Sequence, residues 1–143
     1  MLRASRALLQ VMATSLAPAL ERVTVSQFRA LVLLSALGPT RIGALAERLG
    51  VHQSTFTRTT DRMVEAGIVR RVENPDNRRE VLVEATEVGL AHVREVAFRR
   101  RVEIEHVVSR LEPTQRLALC DALEAFARVS AEPTLESLAV LGG

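Results

Sequence analysis

Between residues 40 and 86 two short helical segments are separated by a single glycine and followed at once by two β-like runs around a turn, an order few folds accommodate. Residues 40 to 50 read as a helix of about two turns, with Ile42, Leu45, Ala46 and Leu49 on one side and Gly50 as its C-terminal stop. Residues 53 to 66 follow almost immediately, with Phe56, Thr60, Met63 and Val64 on the apolar side and Gly67 closing the helix. From Ile68 to Glu73 the period becomes β-like, Asn74, Pro75, Asp76 and Asn77 form a dense run of turn formers, and Val81 and Val83 then alternate with Leu82 and Glu84.

The flanks are helical. Leu2, Leu9, Met12, Leu16 and Leu20 fall at steps that give an amphipathic helix over residues 2 to 20, with Pro18 expected to kink or fray its last turn. Thr24 and Gln27 have the form of a capping box, and Phe28, Leu31, Val32, Leu34 and Leu37 then give an apolar face that ends at Gly38 and Pro39. After Thr86, read as a helix cap, Leu90, Val93, Val96, Ala97, Ile104, Val107, Val108 and Leu111 mark a helix of roughly seven turns. Glu112 and Pro113 start another, predicted to bury Leu117, Leu119, Leu123, Phe126 and Val129. Residues 132 to 143 read as a short tail whose Leu135, Leu138, Val140 and Leu141 need covering.

The parts assemble into a mainly α (α+β) fold, a winged helix-turn-helix with N- and C-terminal dimerisation helices and a two- or three-stranded wing sheet. A chain of 143 residues fits a single domain. Within it, residues 24–86 form the DNA-binding lobe, and 1–22 with 87–143 form the helical dimerisation region. A core this small cannot cover both a terminal apolar helix and an apolar tail, which favours a homodimer.

Apolar residues make up 48% of the chain and aromatics 3%, so the core must be built from aliphatic side chains. A formal charge of +2 is too small to announce a polyanion partner, and placement must carry that argument. All the basic residues are arginine, whose planar fork suits phosphates and base edges. The single cysteine, Cys120, excludes an internal disulfide and fits a reducing cytoplasm. No stretch reaches the roughly 18 apolar residues needed to cross a bilayer, so no membrane association is expected.

On the second short helix the positions left facing outward are Gln53, Ser54, Thr55, Thr57 and Arg58. Gln can bond adenine bidentately, Arg guanine, and Thr offers a hydroxyl and a methyl to thymine, while the helix N-terminus aims amides at a phosphate. Solvation alone also makes a helix face polar. The absence of acidic residues from Gln53 to Thr60 favours the groove-reading alternative, because solvated faces usually mix signs. At the hairpin tip Arg78 or Arg79 can enter a minor groove, with Asp76 able to hold Arg78 or simply to stabilise the turn.

Leu45 to Gly50, the polar helix, Gly67-Ile-Val-Arg-Arg71, and the run from Asp76 through Thr86 to Gly89 together resemble the MarR family of regulators. The likeness spans about residues 24 to 110, and the Asp-x-Arg wing followed by a strand and Thr-x-x-Gly is its most specific part. The resemblance implies a homodimer with interlocked terminal helices and two lobes reading a pseudo-palindrome in double-stranded DNA. It also implies, in many members, a small-molecule effector or oxidant that alters lobe spacing. Carried over, the recognition helix is residues 53 to 66 and the wing arginine is Arg78 supported by Asp76. His52 departs from the pattern, standing at the cap position where the family usually has Ser, so the cap is weakened or His52 itself meets phosphate. An effector, apolar or phenolic, would sit in a cleft between the dimerising helices and the lobe, walled by Leu, Val and Ala.

An enzyme is not expected. His52, His92 and His106 lie far apart and none has Glu or Cys at a familiar metal spacing, so no catalytic, metal or cofactor site is assigned. Cys120 reads as a buried structural thiol, and Arg99, Arg100 and Arg101 as partners of Glu95, Glu103 and Glu105 on a solvated face. The rival function is a winged-helix protein-interaction module without DNA binding. RNA binding is disfavoured by the lack of aromatics for base stacking.

Overall fold

The computed structural model of the chain describes residues 2–130. The apolar tail expected over 132–143, with Leu135, Leu138, Val140 and Leu141, lies outside the described residues. The element order is α1 (Leu2–Leu20), α2 (Val25–Leu37), β1 (Thr40–Arg41), α3 (Ile42–Leu49), α4 (Gln53–Glu65), β2 (Val69–Glu73), β3 (Val81–Ala85), α5 (Glu87–Val108) and α6 (Pro113–Val129). Among the described residues no helix is long and apolar enough to cross a membrane.

Each start and stop has a local cause. Thr24 Oγ1 accepts from the Gln27 amide at 3.2 Å while Gln27 Oε1 accepts from the Thr24 amide at 2.8 Å, a reciprocal box that opens α2. Gly50 ends α3 in the left-handed region, at φ 67, where a side chain would be strained. Pro18 lies inside α1, whose helical residues continue to Leu20.

The core is aliphatic apart from the rings of Phe28 and Phe56. Leu31 and Leu33 from α2, Leu45 from α3, Phe56 and Met63 from α4, Val69 and Val83 from the sheet and Val96 from α5 are all buried. Thr60 is buried among them, and its hydroxyl is satisfied by donating to the Phe56 carbonyl at 3.0 Å. Val81, in contrast, is exposed, because it pairs with Glu73 at the far end of the hairpin, beyond the reach of the core.

The sheet is three-stranded and antiparallel, in the order β1-β3-β2. Thr40 and Arg41, read above as the first residues of a helix, are instead strand β1, paired with Val83 and Leu82. Local pattern could not reveal this, since the backbone groups that hold β1 come from β3, far along the chain. α5 spans 22 residues, about six turns rather than seven.

The joint between lobe and long helix is tight. Thr86 donates its amide to the Ile68 carbonyl at 3.1 Å and its hydroxyl to the Gly67 carbonyl at 2.6 Å, and that hydroxyl accepts from the Gly89 amide at 3.2 Å, capping α5. At Gly89 an added Cβ would come within 2.1 Å of the Ile68 carbonyl oxygen and 2.8 Å of Leu31 Cδ2. Glycine there lets α5 lie directly on the backbone that leaves the recognition helix, which accounts physically for the Thr-x-x-Gly pattern.

The terminal helices correct two expectations and leave a third apolar stripe open. α6 has no buried residue: Leu117, Leu123, Phe126 and Val129 are exposed and Leu119 is half-buried. Cys120 is exposed too, not the buried thiol expected. In α1, Leu2, Leu8, Leu9 and Leu20 are exposed and only Ser15 and Ala19 are buried. The cause is common to all: periodicity marks an apolar stripe correctly, but α6 and the start of α1 lie beyond the core of their own chain. The far part of α5 adds exposed Phe98, Val102, Ile104 and Val107. Arg99 and Arg101 do pair with Glu95 and Glu105, at 2.6 and 3.0 Å.

Candidate nucleic-acid interface

Helix α4 opens with an uncommon cap. His52 Nδ1 accepts from the Ser54 amide at 3.3 Å and lies 2.8 Å from Ser54 Oγ, so the imidazole does the work that a hydroxyl usually does. The substitution noted in the sequence therefore retains a cap. Phe56, Thr60 and Met63 turn inward, leaving Gln53, Ser54, Thr55 and Arg58 exposed and Thr57 half-buried. Thr57 Oγ1 donates to the Gln53 carbonyl at 2.9 Å and Thr59 Oγ1 to the Thr55 carbonyl at 3.3 Å. With their protons committed to the helix, these threonines present acceptor lone pairs and methyl groups outward. Gln53 carries its amide alongside α3, its Oε1 3.5 Å from where a Cβ on Gly43 would stand.

The wing is held by asparagines and a glutamate. Asn74 Oδ1 accepts from the Asp76 amide at 3.0 Å and Asn77 Oδ1 from the Arg79 amide at 3.2 Å, two consecutive Asx turns. Asn77 donates to the Asn74 carbonyl at 3.2 Å and Glu80 to the Asn77 carbonyl at 2.9 Å. Arg78 and Arg79 stand exposed at the tip. Among the described residues no ion pair joins Asp76 to Arg78. The support expected from Asp76 comes from Asn74 and Asn77, because a side chain reaching its own backbone two residues on closes a tighter ring than one reaching a neighbouring guanidinium.

Two ties fix the wing relative to the helices. Arg71 of β2 pairs with Asp61 of α4 at 2.5 Å, and Arg41 of β1 pairs with Glu80 at 3.3 Å. Arg70 and Glu84, directly opposite in the β2–β3 register, pair at 2.5 Å. A groove of about 570 Å³ is lined jointly by Arg41 and Gly43, by Gln53 at the start of α4, and by Glu80 and Val81 of the wing. The start of α4 and the base of the wing thus border one groove. Sequence reading missed Asp61, Glu80 and Arg41, whose partners are remote in sequence; the asparagine-rich turn was visible, but not which atoms close it.

A second cavity of about 410 Å³ lies on α5 beside Glu95, Phe98, Arg99, Val102 and Glu103.

Comparison with known proteins agrees with the geometry. Residues 23–81 match the model of the MarR family. The crystal structure of RV1404 from Mycobacterium tuberculosis superposes with a TM-score of 0.78 at 41% identity, covering 92% of this chain and 90% of that one. That of the transcriptional regulator Tm0710 from Thermotoga maritima gives 0.76 at 27% identity, covering 90% and 89%. The uncharacterized HTH-type transcriptional regulator YfiV of Bacillus subtilis (strain 168) is 26% identical over 106 residues, 74% of this chain. The chain spans 66% of YfiV's own length. With the winged lobe, its Thr-x-x-Gly joint and these likenesses together, the chain belongs to the MarR family and is a winged helix-turn-helix transcription regulator.

Proposed function

We propose that the chain acts in the cytoplasm as a homodimer that binds a pseudo-palindromic operator in double-stranded DNA and represses transcription. The observation that carries the reading is a shared groove: Gln53 and the wing's Glu80 and Val81 line it together, and Arg71–Asp61 ties the wing to α4. Gln53, Ser54, Thr55, Thr57 and Arg58 would read the major groove while Arg78 and Arg79 enter the adjacent minor groove, with Asp76 beside them at the tip. Support for the dimer comes from the exposed apolar side chains of α1, α5 and α6, too many for a soluble monomer to leave in water. Symmetry then sets the two recognition helices roughly 34 Å apart, one turn of duplex. Release by a small apolar or phenolic molecule completes the reading.

Fluorescence anisotropy with a mixed-sequence duplex tests it. Log affinity should fall linearly with log salt, with a slope of about −0.9 per phosphate neutralised. Replacing Arg78 and Arg79 together by Ala should weaken binding by roughly 1 to 3 kcal/mol per side chain that meets DNA and flatten that slope. No binding at low salt would instead favour a protein-interaction module.

A further inference from the structure

We propose that Glu80 is the positioning residue of the wing, setting the angle at which Arg78 and Arg79 meet DNA; this rests on the DNA-binding reading above. The ladder between β2 and β3 ends at the Glu73–Val81 pair, and β1 reaches only as far as Val83 and Leu82. Beyond β1 the hairpin is only two-stranded, which is marginal by itself in water, and past Glu73–Val81 it becomes a turn. What closes its neck is residue 80. Its carbonyl accepts from the Asn74 amide at 3.3 Å, and its Oε2 accepts from Asn74 Nδ2 at 3.0 Å. Its other carboxylate oxygen, Oε1, faces Arg41 Nη1 at 3.3 Å. Arg41 is the N-cap residue of α3, so one carboxylate joins the wing's neck to the helix-turn-helix itself. Asn74 in turn holds the Asp76 amide, which carries the restraint into the tip.

The sign of the effect separates positioning from plain electrostatics. Glu80 lines the groove that opens beside Gln53, where a carboxylate repels phosphate. If charge were all that mattered, removing it would tighten DNA binding. Positioning predicts the reverse. Arg41 is exposed and Glu80 half-buried, with side chains 62% and 35% accessible, so the pair is largely screened by water and its loss should leave thermal stability nearly unchanged.

The experiment measures binding of a mixed-sequence duplex over a salt series. It compares wild type, Glu80→Ala, the Arg78→Ala/Arg79→Ala double variant, and all three substitutions combined, with circular dichroism melts on each. Glu80→Ala should weaken binding about threefold to tenfold, the scale of coupling between contacting groups, and flatten the salt slope. In the background lacking both wing arginines the same substitution should weaken nothing further. Glu80→Gln keeps an acceptor for Asn74 but loses the ion pair, and should fall between Glu80→Ala and wild type. Binding by Glu80→Ala as tight as wild type or tighter overturns the proposal, as does an equal loss in the arginine-less background. A double variant that binds like wild type refutes the wing reading and this inference with it. A failure of Glu80→Ala alone leaves the wing reading standing.

Discussion

Replacing Gly89 with alanine should destabilise the folded protein by about 3 kcal/mol, although alanine is the better helix former. The new Cβ would lie 2.1 Å from the Ile68 carbonyl oxygen, whereas carbon–oxygen contacts settle near 3.3 Å, so the two backbones must part by about 1 Å. Overpacking against side chains costs roughly 1 to 3 kcal/mol, and a backbone oxygen, unable to swing aside, puts this site at the upper end. The same carbonyl accepts from the Thr86 amide at 3.1 Å, and moving it forfeits a hydrogen bond worth about 1 kcal/mol. Against these stands a helix-propensity gain of about 1 kcal/mol. Urea unfolding of both proteins, followed by circular dichroism, measures the difference. Protein concentration must be matched, since the stability of a dimer depends on it. A change below about 1 kcal/mol, or any stabilisation, would refute the claim that α5 is seated directly on the exit of the recognition helix.

Two further outcomes follow from the exposed helices and from the perturbed carboxyl of Glu95. Phe126→Glu, at a residue 68% exposed in the single chain, should leave the fold intact yet shift the proposed dimer toward monomer in sedimentation or size-exclusion runs; an unchanged mass would remove α6 from the proposed interface. The Arg99 guanidinium holds the Glu95 carboxyl below its usual value of about 4.5, with Arg22 of the loop after α1 adding to the effect. A carboxyl depressed in the folded state stabilises at neutral pH and loses that contribution as the pH falls below about 4.5 through its folded value. Glu95→Gln should therefore lower stability at pH 7 while narrowing its difference from wild type in acid, as read by thermal melts across pH. A gap that stays constant from pH 7 to below pH 4 would exclude this pair as a source of pH dependence.

Much of the lobe was legible in advance because its signals are local. Capping at Thr24 and Thr86, glycine stops at Gly50 and Gly67, and the inward set of Phe56, Thr60 and Met63 each depend on residues within one or two turns. The outward residues of α4 follow from the same periodicity, as do the exposed arginines of the turn. What escaped depended on partners distant in the chain. Strand β1 exists only because β3 returns beside it, and Glu80 matters only because the fold brings Arg41 to it. The support expected at Arg78 from Asp76 is not formed as an ion pair among the described residues; the turn is closed by the side-chain oxygens of Asn74 and Asn77, whose reach depends on backbone angles.

The burial of α6 failed for a different reason. An apolar stripe states that a face leaves water, not whose surface covers it, and the described residues supply no cover for Leu117, Phe126 or Val129. Apart from strand β1 and the far end of α5, sequence by itself determined which segments are helical or extended and which side of each is apolar, because those depend on backbone sterics and hydrogen bonds between near neighbours. Tertiary structure alone decided which faces meet, how the wing is tied to the helices, and which apolar surfaces remain open, because these depend on contacts that no local pattern encodes.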